Sequence, residues 1–179
     1  GYRFLISVLG RMPASQRPPL LIAANSIEPD ELRLLEALAY RYQVKLDIRH
    51  VMDDNELVNL YNRAAAFVYT PHLEPWGLAI VEAMACGMPV IGVREGGMRE
   101  SVLDGVTGLL VERDPDEFAQ TLGQLLQRRQ YGRELGQAAA ARVRETLTWE
   151  HTIDHLEQIL WEVVERNDDY IRKSSLSHD

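Results

Sequence analysis

The chain has a single cysteine, Cys86, among its 179 residues, which excludes an internal disulfide and is compatible with a reducing compartment. It lacks any apolar run near the ~20 residues that a bilayer-spanning helix needs, and no basic-then-apolar leader opens it. The expectation is a soluble, cytoplasmic domain with no direct membrane contact. Basic residues are also in deficit: 19 Lys and Arg stand against 27 Asp and Glu, for a formal net charge of −8. They are scattered along the chain. That argues against nucleic acid or an anionic membrane surface as a partner, since both need clustered cations to displace counterions. What the chain does have is apolar content, 46% of its residues, enough for one proper core at this length. One domain is expected over residues 1–167, with a polar tail at 168–179. Cys86 falls on a helix face expected to pack, which reads as a small buried hydrophobe rather than a nucleophile.

Apolar runs of strand length alternate with helix-period stretches, the pattern of a parallel α/β sheet. Residues 2–12 read as a helix with Phe4, Leu5, Val8 and Leu9 on one face, and residues 20–24 as a buried strand after Pro18 and Pro19. Further helices are expected at 30–42, 57–64, 97–103, 131–146 and 150–167, and strands at 44–48, 66–69, 90–93 and 109–111. Asp53 to Glu56 has capping-box spacing, and Asp114-Pro115 supplies an N-cap and a first-position proline for one more helix. In a sheet of this kind ligands bind beyond the carboxyl ends of the strands. Asn25-Ser26, His50 to Met52, Thr70 to Trp76 and Arg94 to Gly97 all follow strands and so share one rim.

The segment Glu74-Pro-Trp-Gly-Leu-Ala-Ile-Val-Glu82 stands out on that rim. Pro71 and Pro75 keep the chain extended ahead of Trp76, which puts Glu74 on a loop. From Gly77 the sequence turns to helix formers, and Gly87 and Pro89 stop them. The first-turn amides of Gly77, Leu78 and Ala79 have no intrahelical acceptor and carry the positive end of the helix dipole, so they can hold an anion. A diphosphate fits that description. Glycine at 77 lets a ligand approach the backbone, while two acceptor-only carboxylates nearby suit sugar and ribose hydroxyls.

The stretch Glu-Pro-Trp-Gly-Leu-Ala-Ile-Val-Glu-Ala-Met-Ala-Cys-Gly-Met-Pro-Val, followed by Gly96-Gly97 and by Asp104-Gly-Val-Thr-Gly-Leu-Leu-Val111, closely resembles family 4 of the retaining glycosyltransferases. The likeness is strong from about residue 57 to 126. It implies a Rossmann-like parallel sheet with helices on both faces, forming the C-terminal, donor-binding half of a GT-B architecture. It also implies site roles. Glu82 would bind the ribose hydroxyls of the donor, the amides of Gly77 and Leu78 would meet its phosphates, and Glu74 would contact the transferred sugar and steady the developing cation. Backbone near His50 and Val51 would meet the base, although His50-Val51 replaces a glycine common there. The Gly96-Gly97 loop would approach the donor; read from the residues alone, it is equally a strand-to-helix turn. Read from its side chain alone, Trp76 could wall the sugar pocket, but its size favours a buried anchor under the loop.

No cofactor or metal is implied, because a helix N-terminus and fixed cations can stabilise a departing diphosphate; the nucleoside-diphosphate sugar is the substrate. The family departs from this chain in one respect. Such transferases place an Arg and a Lys after a leading strand, the Lys just before a glycine like Gly1, and carry an acceptor-binding N-terminal domain. The expectation is therefore a fragment lacking its first strand and its acceptor half, inactive alone.

Arg94 is the one cation read on the rim, and a candidate for the phosphates. His72 reads either as a sugar contact or as loop packing. Asp114-Pro-Asp116 matches a metal-binding pattern but fits a helix cap better, and His151 and His155 at i, i+4 have no third ligand in range. Two other functions stay open at this stage: a nucleotide-sugar epimerase or hydrolase, and a non-catalytic nucleotide-sugar sensor.

Overall fold

A computed structural model describes residues 1–50 and 53–175, with side chains through residue 166. The chain divides into two compact units, 1–141 and 142–179, whereas the sequence reading drew one domain to 167. Helices and strands alternate through the first unit: α1 (Tyr2–Arg11), β1 (Leu20–Ala24), α2 (Pro29–Tyr42), β2 (Leu46–His50), α3 (Asp54–Arg63), β3 (Phe67–Tyr69), α4 (Leu78–Ala85), β4 (Val90–Val93), α5 (Met98–Ser101), β5 (Leu109–Val111) and α6 (Pro115–Gln127). They are followed by α7 (Arg129–Thr146) and α8 (Trp149–Ser175). Among the described residues no helix is long and apolar enough to cross a membrane.

All strand pairs are parallel, as the alternation requires, but the sheet is in two pieces, β1-β2 and β3-β4-β5. β4 is buried along its whole length, which its run Val-Ile-Gly-Val suits: a parallel strand covered on both faces is apolar throughout. α1 packs against α2 and α6, burying Leu5, Ile6, Val8 and Leu9 with Leu35, Ile91 and Phe118. Phe4 meets Phe118 edge-on at 5.8 Å.

Two caps behave as their residues dictate. Asp114 Oδ1 accepts from the amides of Asp116 and Glu117 to start α6, which is the role expected of the Asp114-Pro-Asp116 motif. Asp53 Oδ1 accepts from Asn55, so α3 begins at Asp54, three residues before the expected start. β2 begins two residues late because the amide of Val44 is spent closing α2, on the carbonyl of Ala39 past the left-handed Gln43. α8 runs through Ser175, past the point at which the sequence reading ended it.

Candidate functional site

The three parallel strands β3, β4 and β5 end on one rim, and the loops that leave them meet there. β3 hands over to Thr70, whose hydroxyl donates to the carbonyl of Gly1 at 3.0 Å. The start of α1 therefore lies against the end of β3. The loop 70–76 is held from below by Arg113, two residues beyond β5. Its guanidinium donates Nε to Glu95 Oε1 at 2.7 Å and Nη2 to Glu95 Oε2 at 2.8 Å, and reaches the carbonyls of Thr70 and Pro71. Charge-assisted bonds of this bidentate kind fix geometry as well as contributing energy. Hydrogen bonding from Arg113, against a smaller opposing effect of burial, holds the Glu95 carboxyl below its ordinary range. His72 lies 3.7 Å from Glu95 and is exposed. It belongs to this loop anchor.

Gly96 and Gly97 lie directly beneath the Glu74 loop. A Cβ on Gly96 would stand 2.2 Å from the carbonyl oxygen of Glu74, and one on Gly97 would stand 2.0 Å from that of Pro75. The Gly97 amide donates to the Glu74 carbonyl at 2.9 Å. The pair thus does more than turn the chain: it lets the loop carrying Glu74 rest on the β4–α5 connection. Glu74 then points back along the helix. Its Oε1 accepts from the Gly77 amide at 3.2 Å and its Oε2 from the hydroxyl of Tyr69 at 3.3 Å.

Two expectations about this corner change as a result. The amide of Gly77 is already capped by Glu74, so the free donors are those of Leu78 and Ala79, which meet no acceptor among the described residues. Nor does the glycine at 77 open space for a ligand. Its backbone is left-handed, φ 85°, and a Cβ there would stand 2.1 Å from Met98 Cε. Close packing and backbone conformation require the glycine.

α4 buries Ile80, Ala83 and Met84, which sets Glu82 on its exposed side. Glu82 Oε2 accepts from Tyr61 Oη at 3.1 Å. Tyr61 comes from α3 and is only 8% exposed. Trp76, at 37% exposure, is no buried anchor, and its carbonyl accepts from Ser101 Oγ at 2.8 Å. Leu78 is exposed at the head of α4. Cys86, at the close of α4, is partly rather than fully buried, and burial pushes its thiol up. Val51 lies outside the described residues, and its neighbour His50 is exposed at the end of β2.

Arg94 is occupied elsewhere. Its guanidinium pairs with Asp104, lies 3.3 Å from Glu112 and donates to the Leu110 carbonyl at 2.6 Å, so it ties the loop ahead of β5 to the strand. Nor is it the one cation at the strand ends, since Arg113 stands there too. Sequence reasoning passed over Arg113, Tyr61 and Tyr69. Only Tyr69 left a signal, sharing a strand face with Phe67 next to the Glu74 loop. Among the described residues no three His, Cys, Asp or Glu side chains are grouped to hold a metal.

Comparison with known proteins gives these residues a setting. Residues 1–142 match the family described as glycosyl transferases group 1. A D-inositol 3-phosphate glycosyltransferase of Thermobifida fusca is 38% identical over 102 residues, 56% of this chain and 23% of that protein. The sucrose-phosphate synthase tll1590 of Thermosynechococcus elongatus superposes with TM-score 0.79 at 28% identity, over 93% of this chain and 43% of that one. Anabaena Alr3699/HepE, solved with UDP-glucose, superposes with TM-score 0.74 at 23% identity, over 91% and 44%. The chain thus spans well under half the length of these relatives.

Proposed function

The chain belongs to the group 1 glycosyl transferases, and from that premise we propose that it is the donor-binding half of a GT-B enzyme that transfers a sugar from a nucleoside diphosphate with retention. The observation that supports this most directly is the pair of unmet amides at Leu78 and Ala79, set between the Glu74 loop and the Glu82 side chain. Backbone donors at a helix start are suited to a diphosphate, and the two acids on either side are suited to hydroxyl groups. In this reading Glu82 holds the ribose and Glu74 the transferred sugar. Trp76, exposed beside them, walls the sugar pocket; Gly96 and Gly97 set the height of the loop; Val51 and its neighbours take the base.

The chemistry is a substitution at the anomeric carbon. Its bond to the diphosphate oxygen breaks, a bond to an acceptor oxygen forms on the same face, and the acceptor proton leaves with the diphosphate or solvent. Charge grows on the diphosphate as it departs. The α4 start is oriented for it in advance, which is how fixed dipoles lower a barrier. For Glu74 to steady the cationic sugar it must release the Gly77 amide, so donor binding exchanges one helix cap for another. No metal or other cofactor is invoked, and the setting proposed is the cytoplasm.

A second part of the proposal concerns what joins this half. Gly1 lies against Thr70 at the carboxyl end of β3, so a parallel strand leading into α1 would run beside β3 and join the two pieces of the sheet. The cations for the diphosphate and the acceptor-binding domain would come with that segment, and residues 1–179 alone would not turn over. A UDP-sugar is the first donor to try, given the UDP-glucose complex of Alr3699/HepE. In the intact enzyme, Glu74→Ala is expected to cut transfer by roughly 100- to 1000-fold with nucleotide affinity retained. Steady-state kinetics with a nucleotide titration checks it. Unchanged transfer would contradict the assignment.

A further inference from the structure

Three aromatic rings line up beneath α4 and end in the two acids. Tyr61, on α3, meets Phe67 edge-on with centroids 5.6 Å apart, and Phe67 stacks on Tyr69 at 5.7 Å and 23°. Phe67 and Tyr69 are alternate residues of β3, so both present to the same side of the strand. One end of the row donates from Tyr61 Oη to Glu82 Oε2 at 3.1 Å, and the other from Tyr69 Oη to Glu74 Oε2 at 3.3 Å. Phenylalanine would fill these ring positions equally well. The hydroxyls are the feature that packing leaves unexplained, and each donates to an acid of the site, with Tyr61 Oη also lying 3.4 Å from the Ala79 carbonyl.

We propose that Tyr61 and Tyr69 are positioning residues, each fixing one acid of the donor site, with Phe67 joining them into one unit. The inference rests on the reading above. A carboxylate on a helix face or loop otherwise samples several rotamers, and holding one oxygen selects among them. For Glu82 the bond uses Oε2 and leaves Oε1 without a partner among the described residues, ready to accept from a ribose hydroxyl. For Glu74, the Tyr69 bond keeps the carboxylate at the rim when Oε1 leaves the Gly77 amide. Burial, then the charge of the adjacent acid, pushes both phenols up, Tyr69 to about 12, so each remains a donor throughout the working range of pH.

The test is calorimetry on the intact enzyme with UDP, GDP and ADP and with their glucose and mannose conjugates. Tyr61→Phe is expected to weaken the nucleotide that binds by about fivefold, the size of one ordinary hydrogen bond. In a Glu82→Ala background the same change should add nothing, since coupled residues are not additive. Tyr69→Phe should leave the nucleotide alone and alter the ratio of conjugate to nucleotide affinity by about threefold, an effect absent from a Glu74→Ala background. A purely structural role would lower thermal stability without that division between the two ligands. Equal affinities in wild type and both Phe variants, or losses that persist without the acids, would overturn the inference. Should wild type bind no nucleotide, or Glu82→Ala bind as wild type does, the proposed donor site itself would fail and the inference with it.

Discussion

Gly77 shows how one residue serves a site by being absent of side chain. Its φ of 85° is left-handed, and Met98 Cε occupies the space a Cβ would need. Gly77→Ala is expected to destabilise the domain by about 1–2 kcal/mol, since alanine is strained at positive φ. Adding Met98→Ala would relieve the steric part but leave a cavity where the buried Met98 stood, costing about 2–5 kcal/mol, so the double variant is expected to be less stable than Gly77→Ala. Thermal unfolding of the single and double variants checks both statements. The sequence made the glycine visible but suggested ligand access as its reason, because the neighbour that fills the space lies 21 positions away in the chain. Glu95 gives a second residue-level outcome. Its carboxyl is held below the ordinary 4.5, chiefly by Arg113, so its contribution to stability is complete above that value and is lost as pH falls through the depressed one. Glu95→Gln should therefore melt below wild type at pH 7, and the two should converge as the medium is acidified beneath pH 4.5. A gap that stays constant with pH would contradict this. That pair was hidden in the sequence because its members are separated by 18 positions and meet only when β4 and β5 lie side by side.

At the scale of elements, the ends are what the structure adds. The strands Leu20–Ala24, Val90–Val93 and Leu109–Val111 could be read to the residue, since turn residues bound each short apolar run. Helix ends were less legible where a cap sits inside the expected loop, as Asp53 does ahead of α3. Arg17 illustrates a tie between elements that no local pattern announces. Its guanidinium donates to the carbonyls of Gly10 and Met12, at the close of α1, and of Tyr42 and Gln43, at the close of α2. Two helix ends that would otherwise need separate caps share one cation there, which also suits the negative pole of each dipole. Arg17→Met keeps most of the side-chain volume and removes the donors. It is expected to lower stability by about 2–3 kcal/mol, read as a shift in denaturation midpoint with an unchanged slope. A loss within the usual scatter of surface substitutions would show that water replaces the guanidinium without cost. α8 is the element least expected in its details. Trp149, Ile153, Leu156, Leu160 and Trp161 are all exposed along it, although its helical period was plain from the sequence.

For the molecule as a whole, composition and pattern already conveyed the fold class, because parallel strands buried on both faces must be apolar and must alternate with helices. The break of the sheet into two pieces was not legible, since strand order depends on pairings that no local pattern records. Much of the candidate site was legible as well: Glu74, the start of α4 and Glu82 were visible through prolines, glycine and helix formers in a fixed order. What supports them was not, because Tyr61, Tyr69 and Arg113 act through contacts made only in three dimensions. The central claim is that the unmet amides at the head of α4 receive a diphosphate. Backbone amide resonances of the labelled chain, followed by NMR while UDP, GDP or ADP is added, test it most directly. The account predicts that Leu78 and Ala79 move first and furthest, that Gly77 moves with them as Glu74 lets go, and that the parent nucleosides leave all three in place. Shifts confined to the cleft between α2 and β2, around Leu32, Tyr40 and His50, with the α4 amides unmoved, would contradict it.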